Sequence, residues 1–243
     1  MLTDDPFADF RSGLEDPEKR RRLLQLLTGG TLGLAPWPAA NAFWGSSKKL
    51  PEGKSIHSLE GEVTVNGRPA DEDTRIRAGD VVRTGADGEI VFAVGADAFL
   101  LRADSELEIS GIEFFVDSLR ILTGRLLSVF ARRESNQRLS LLASTATIGI
   151  RGTGVYVESE PEQTYVCTCY GKAELASNAD PDDHELITSK SHDEPRYIRR
   201  DPGDSGRIRE APVINHDNEE LKLLEAIVGR ETPAGFGKQS YKK

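Results

Sequence analysis

The sequence predicts an all-β fold, a short-strand sandwich, roll or solenoid that ends in one C-terminal helix. Three observations carry this. Short apolar alternations recur between Gly, Asn and Asp turn signals from Ile56 to Ala176. The chain holds 23 Gly against a single Met, a balance that suits turns and strands better than a helical bundle. No stretch of helical period interrupts the strands, which disfavours alternating strand–helix units.

Residues 1–18 are polar and rich in Asp and Glu, and read as lacking a core. A basic run follows, Lys19-Arg20-Arg21-Arg22, then the weakly apolar residues 26–35, the breakers Pro36 and Pro38, and Ala40-Asn41-Ala42. Basic, apolar and small-x-small segments stand in the order of a secretory leader. Arg20 and Arg21, followed by Arg22 and the apolar pair Leu23-Leu24, resemble the twin-arginine consensus, although Lys19 stands where a Ser or Thr is usual. Gly29, Gly30 and Gly33 make the same stretch a poor buried helix, each costing about 1 kcal/mol against Ala. Pro36, Pro38 and Asn41 would interrupt it as an uncleaved anchor. The expectation is export to the periplasm with cleavage after Ala42. The leader carries six acidic and five basic residues, so the mature chain would keep a net charge of −8 out of −9. That acidity disfavours nucleic acid as a partner, because phosphate binding needs clustered Lys and Arg. No later apolar run reaches eighteen residues, so no stable membrane span is expected in the mature chain.

Residues 43–55 read as a linker, and the β-domain spans 56–176. Glu62-Val63-Thr64-Val65 runs into Asn66-Gly67, a two-residue hairpin signal. Residues 81–84 follow Ala78-Gly79-Asp80, and residues 89–94 follow Gly85-Ala86-Asp87-Gly88. Residues 98–102 and 106–109 are separated by Asp104-Ser105. Three further strand pairs flank Thr123-Gly124, residues 151–154 and Gly171: 114–122 with 125–130, 146–150 with 155–158, and 163–170 with 173–176.

These residues carry a resemblance. Thr74-x-Ile76-x-Ala78-Gly79-Asp80-x-Val82-x-Thr84-Gly85-Ala86-Asp87-Gly88 resembles the opening motif of FecR-type domains. Leu100-x-x-x-Asp104-Ser105-x-Leu107 and Leu122-Thr123-Gly124-Arg125-Leu126 continue it. The most specific piece is residues 144–153, with Ile148-Gly149-Ile150-Arg151-Gly152-Thr153 at its end, and Thr164-x-Val166-x-x-x-x-Gly171 closes the match. The resemblance implies an extracytoplasmic β-domain that binds or scaffolds, engaging an envelope protein or a glycan component. The family's best-known members are envelope signal transducers with a cytoplasmic anti-sigma segment and a spanning helix. The acidic stretch of 18 residues before the basic run is too short for that segment, so a stand-alone domain is expected. Gly79, Asp80, Gly85, Arg151, Gly152 and Thr153 are expected to serve architecture: turns, hydrogen bonds and packing.

Cys167-Thr168-Cys169 is the sharpest chemical feature. On a strand, residues i and i+2 share a face, so the thiols stand side by side. A site formed with His192 and His216 is chemically sensible for zinc, copper or iron, although the spacing matches no finger pattern. The alternatives are buried core thiols or oxidation in the periplasm, where an i,i+2 disulfide would be strained. His57 and His184 are the other two histidines. Gly203-Asp204-Ser205-Gly206 is similar to a serine-protease nucleophile motif but reads as a hydrophilic turn, and no enzyme is expected. Residues 177–215 read as a loop-rich extension with possible short strands at Ile187 and at Tyr197-Ile198. Asp217-x-x-Glu220 opens a helix over 216–230 with Leu221, Leu224 and Ile227 on one face, and 231–243 reads as a flexible tail.

Overall fold

The structure, a computed structural model, describes residues 48–134, 137 and 139–237. Arg20, Arg21, Ala40 and Ala42 lie outside the described residues. The chain is all-β with a C-terminal helix. The strands are β1 (Ile56–Glu60), β2 (Val63–Val65), β3 (Arg68–Pro69), β4 (Val81–Thr84), β5 (Glu89–Val94), β6 (Asp97–Leu101), β7 (Glu106–Ile112) and β8 (Phe115–Val129). They continue with β9 (Leu139–Leu142), β10 (Ala146–Ile150), β11 (Gly154–Ser159), β12 (Gln163–Ser177), β13 (His184–Ser189), β14 (Arg196–Arg199) and β15 (Ile208–Glu210). Helix α1 spans Asn218–Ile227.

The strands form two sheets that share two long members. The first sheet runs β1-β5-β6-β8-β11-β12-β14-β15, all antiparallel. The second runs β3-β2-β4-β7-β8-β9-β10-β12-β13, with β8 and β9 parallel. β8 pairs with β7 up to Thr123 and with β11 from Gly124 onward. β12 pairs with β11 up to Tyr170 and with β10 and β13 from Gly171 or just beyond. Each long strand therefore bends from one sheet into the other at a glycine.

Gly124 (φ 98°) and Gly171 (φ 91°) are left-handed, where a Cβ is penalised. A Cβ on Gly124 would fall 2.0 Å from Ser105 Oγ, and one on Gly171 would fall 2.7 Å from Thr153 Cβ. Here the structure corrects the sequence reading: Thr123-Gly124 and Gly171 are bends inside continuous strands, not turns between separate ones.

Between the sheets lies the main core, including Val82, Phe92, Phe99, Leu107, Ile121 and Val166. A second core covers the outer face of the first sheet, where Leu100, Leu127, Tyr156 and Tyr165 pack with Leu221, Leu224 and Ile227 of α1. The first sheet is thus the middle of three layers.

The family-like motifs sit at the corners. Asn66 and Gly67 adopt φ of 52° and 74°, as the hairpin requires. Asp80 accepts from Arg77 N at 2.8 Å and from Asn66 Nδ2 at 2.8 Å, tying two loops together beside left-handed Gly79. Gly85 packs against Glu62, and Thr153 is buried below Gly171. Arg151 differs from expectation: its side chain is exposed.

Three further expectations change. Residues 177–215 are not a loop-rich appendage, because β13 and β14 pair with β12, and β15 pairs with β14. The predicted helix narrows to Asn218–Ile227. Asp217 accepts from the Glu219 and Glu220 amides, and the Glu220 carboxylate accepts from Asp217 N. The 231–237 part of the predicted flexible tail is anchored, with Phe236 buried and Gly237 N donating to Ser191 Oγ.

Gly124→Ala is expected to destabilise the fold by about 1–3 kcal/mol through its left-handed backbone and the Ser105 contact. Chemical denaturation of the variant beside the parent protein measures it.

Candidate functional site

The site is built on the first half of β12. Strand alternation turns Cys167 outward, opposite Tyr156 of β11. The pairing then slips: Val155 opposes Thr168, but Gly154 opposes Tyr170. Cys169 has no register partner on β11, which is the signature of a bulge. Both cysteines, and Tyr170 after them, join the outer core. Each thiol is free and fully buried.

His192 arrives on the turn between β13 and β14, itself left-handed at φ 56°. Its amide donates to the Cys169 carbonyl at 2.9 Å, which fixes the turn against the strand. Asp193 braces the same turn by accepting from Lys190 N at 2.7 Å. His216 arrives from the other side, one residue before the helix cap. Its ring stacks on Tyr156 at 4.4 Å between centroids, with 21° between planes.

The structure brings the four residues named from the sequence together: the donor atoms of Cys167, Cys169, His192 and His216 all lie within 4.8 Å of one another. Cys167 Sγ is 3.4 Å from His192 Nδ1, which is 2.9 Å from His216 Nε2. A tetrahedral zinc ion with bonds of about 2.3 Å to sulfur and about 2.0–2.1 Å to nitrogen needs donors spaced on the order of 3.3–3.8 Å. The Cys167–His192 separation of 3.4 Å matches that spacing, the His192–His216 separation of 2.9 Å is shorter, and the whole set stays within 4.8 Å.

The outward-facing nitrogens settle how the rings are oriented. His216 Nδ1 lies 2.6 Å from the Ile214 carbonyl, which can only accept, so Nδ1 carries the proton. His192 Nε2 lies 3.1 Å from Asn218 Oδ1 and donates likewise. Each ring is thus held from behind by an oxygen, with its other nitrogen turned toward the common centre. A backbone carbonyl or amide oxygen holding the far side of an imidazole is the usual support of a metal-ligating histidine.

The thiols differ. Burial pushes Cys167 up, but contacts with Cys169, His192 and His216 outweigh it and hold this thiol well below the usual range. Cys169 goes well above, through burial and the charge of Cys167 beside it. Burial and mutual contact thus push the two thiols apart in acidity.

The other sequence candidates lie elsewhere. His57 is half-buried on β1, where burial lowers its pKa, and His184 is exposed at the start of β13. Gly203–Ser205 forms a 3₁₀ turn. Sequence reasoning missed Asn218, Tyr156 and Phe236, whose ring lies 5.4 Å from that of His192. It also missed the buried group formed by Tyr170, Glu225 and Arg230. There Tyr170 Oη donates to Glu225, which accepts from Arg230 Nε at 2.5 Å. Burial, with Glu225 beside it, pushes the Tyr170 phenol well up.

Fold and cluster together define an all-β sandwich with a buried two-cysteine, two-histidine centre. No protein-family model matches the chain. No curated protein matches it either. Two crystal structures of a candidate anti-sigma factor from Parabacteroides distasonis are similar to it in part. One has a TM-score of 0.43 and 15% identity over 54% of this chain and 58% of that one. The other has a TM-score of 0.42 and 14% identity over 61% and 59%. The chain thus spans less than two thirds of either. Among the described residues, no helix is long and apolar enough to cross a membrane.

With both thiols sealed, iodoacetamide is expected to label neither cysteine in the protein as isolated and both after denaturation. Intact mass before and after unfolding checks this, and labelling of one or none in the unfolded chain would reveal a disulfide.

Proposed function

We propose that this chain is an exported, FecR-like binding domain of the cell envelope that holds one soft divalent cation, zinc above copper or iron. The observation that carries the metal is the convergence of four donors from three chain segments, with both histidines oriented from behind. Two thiolates and two imidazoles in a tetrahedral set suit a d¹⁰ ion without preference of its own. Four protein ligands leave no open position for substrate, so the centre is a structural one and the domain is not an enzyme. The twin-arginine-like leader supports the location. That route carries folded proteins, so the cation would be acquired before export to the periplasm. The binding role follows the family resemblance, with an envelope protein as partner. It is supported by the tip of the β7–β8 hairpin, where Ile112 and Phe114 stand more than half exposed.

Elemental analysis of protein taken from its native compartment is expected to find about one zinc per chain, lost in Cys167→Ser and in Cys169→Ser. A native sample free of metal would sink this reading.

A further inference from the structure

The four donors are unevenly distributed along the chain. Cys167 and Cys169 belong to β12, and His192 is fixed to β12 through the Cys169 carbonyl. Only His216 belongs to the C-terminal segment 211–237, which crosses the outer face of the first sheet as a strap.

We propose that the bound metal is the lock of this strap: occupancy decides whether the strap lies on the sheet or comes away from it. The inference rests on the metal reading above and adds what the metal controls. The strap alone is poorly equipped to stay down. Helix α1 has ten residues, fewer than the roughly 12–15 that an isolated helix needs to persist in water. Two of its six buried residues are carboxylates, Glu220 and Glu225. Arg102 meets Glu220 at 2.5 Å and Arg230 meets Glu225 at 2.5 Å, but such pairs largely offset the cost of drying the charges. What remains is a short apolar face. Meanwhile His192 Nδ1 and His216 Nε2 stand 2.9 Å apart, a contact of the cluster that joins β12's side to the strap through two imidazoles. A cation ligated by both rings replaces that contact with two bonds, one of which reaches the strap next to the helix cap. Phe236 packs on His192 and so belongs to the same closure. The sandwich does not depend on it, since its main core between the sheets contains no strap residue.

The test is hydrogen exchange followed by mass spectrometry on the mature protein, zinc-loaded and then stripped with a chelator, with native mass spectrometry recording occupancy. On stripping, amides of 211–237 should lose protection on the order of tenfold or more, while β5, β8 and β11 keep theirs. His216→Ala, which leaves three ligands, should show the unprotected strap even with zinc bound. Three results overturn the lock: a strap equally protected with and without zinc, a His216→Ala strap as protected as the parent's, or loss of strap and sandwich together. Failure of the metal reading looks different, since native mass spectrometry would then find no zinc bound at any stage, and the lock would fall with it.

Discussion

The first half of β12 is buried on both of its faces, and the rest of the architecture follows from that constraint. From Thr164 to Tyr170 every residue is buried, with Val166 facing the main core and Tyr165, Cys167 and Cys169 facing the outer one. A strand in that position cannot alternate polar with apolar residues. The second sheet covers its inner face, and its outer face calls for a further cover. The strap is that cover. Without it, Tyr156, Tyr165, Leu100 and Leu127 would present a continuous apolar surface to water.

The way the strap meets the sheet is costly in polar groups. Tyr165 Oη donates to the Pro212 carbonyl at 2.9 Å, and the Ile214 amide lies 3.3 Å from the same oxygen. Arg102 joins Glu89 on the sheet to Glu220 on the helix. A buried carboxylate whose partner moves away is an uncompensated charge, so these contacts form and break as a set. The layer has the character of a part that fits in one position or not at all.

Much of this was legible in the residues, and the failures have a common cause. Asn66-Gly67 and the Asp217–Glu220 capping box were readable because their physics is local: a positive φ and an orphan amide each name their own remedy. The same-face relation of Cys167 and Cys169 was readable from strand geometry, and His192 and His216 could be named as partners from chemistry. Gly124 and Gly171 were misread because a left-handed glycine permits a reversal and a bend equally. Which one occurs depends on what pairs on either side, and those partners lie far away in sequence. The possible short strands at Ile187 and Tyr197-Ile198 could be named, but their extent, and β15 altogether, were hidden for the same reason, since they form only where β12 and then β14 offer an edge. Asn218 and Phe236 carried no signal, since one looks like any first-turn residue and the other like a lone aromatic in a polar tail.

The position of the cluster also says what kind of metal site the sandwich can support. In small metal-dependent domains the ion substitutes for a core that the chain is too short to build, and the ligands come close together in sequence. Here the domain has a full apolar core between its sheets before any ligand is counted. The ligands are instead spread from residue 167 to residue 216, across a strand, a turn and the approach to a helix. Closing that span costs entropy that the apolar and polar contacts of the strap offset only by acting together. On the proposed reading, a cation placed there would contribute least to making the sandwich and most to joining the last segment to it, so it would act on the position of the strap rather than on the existence of the fold.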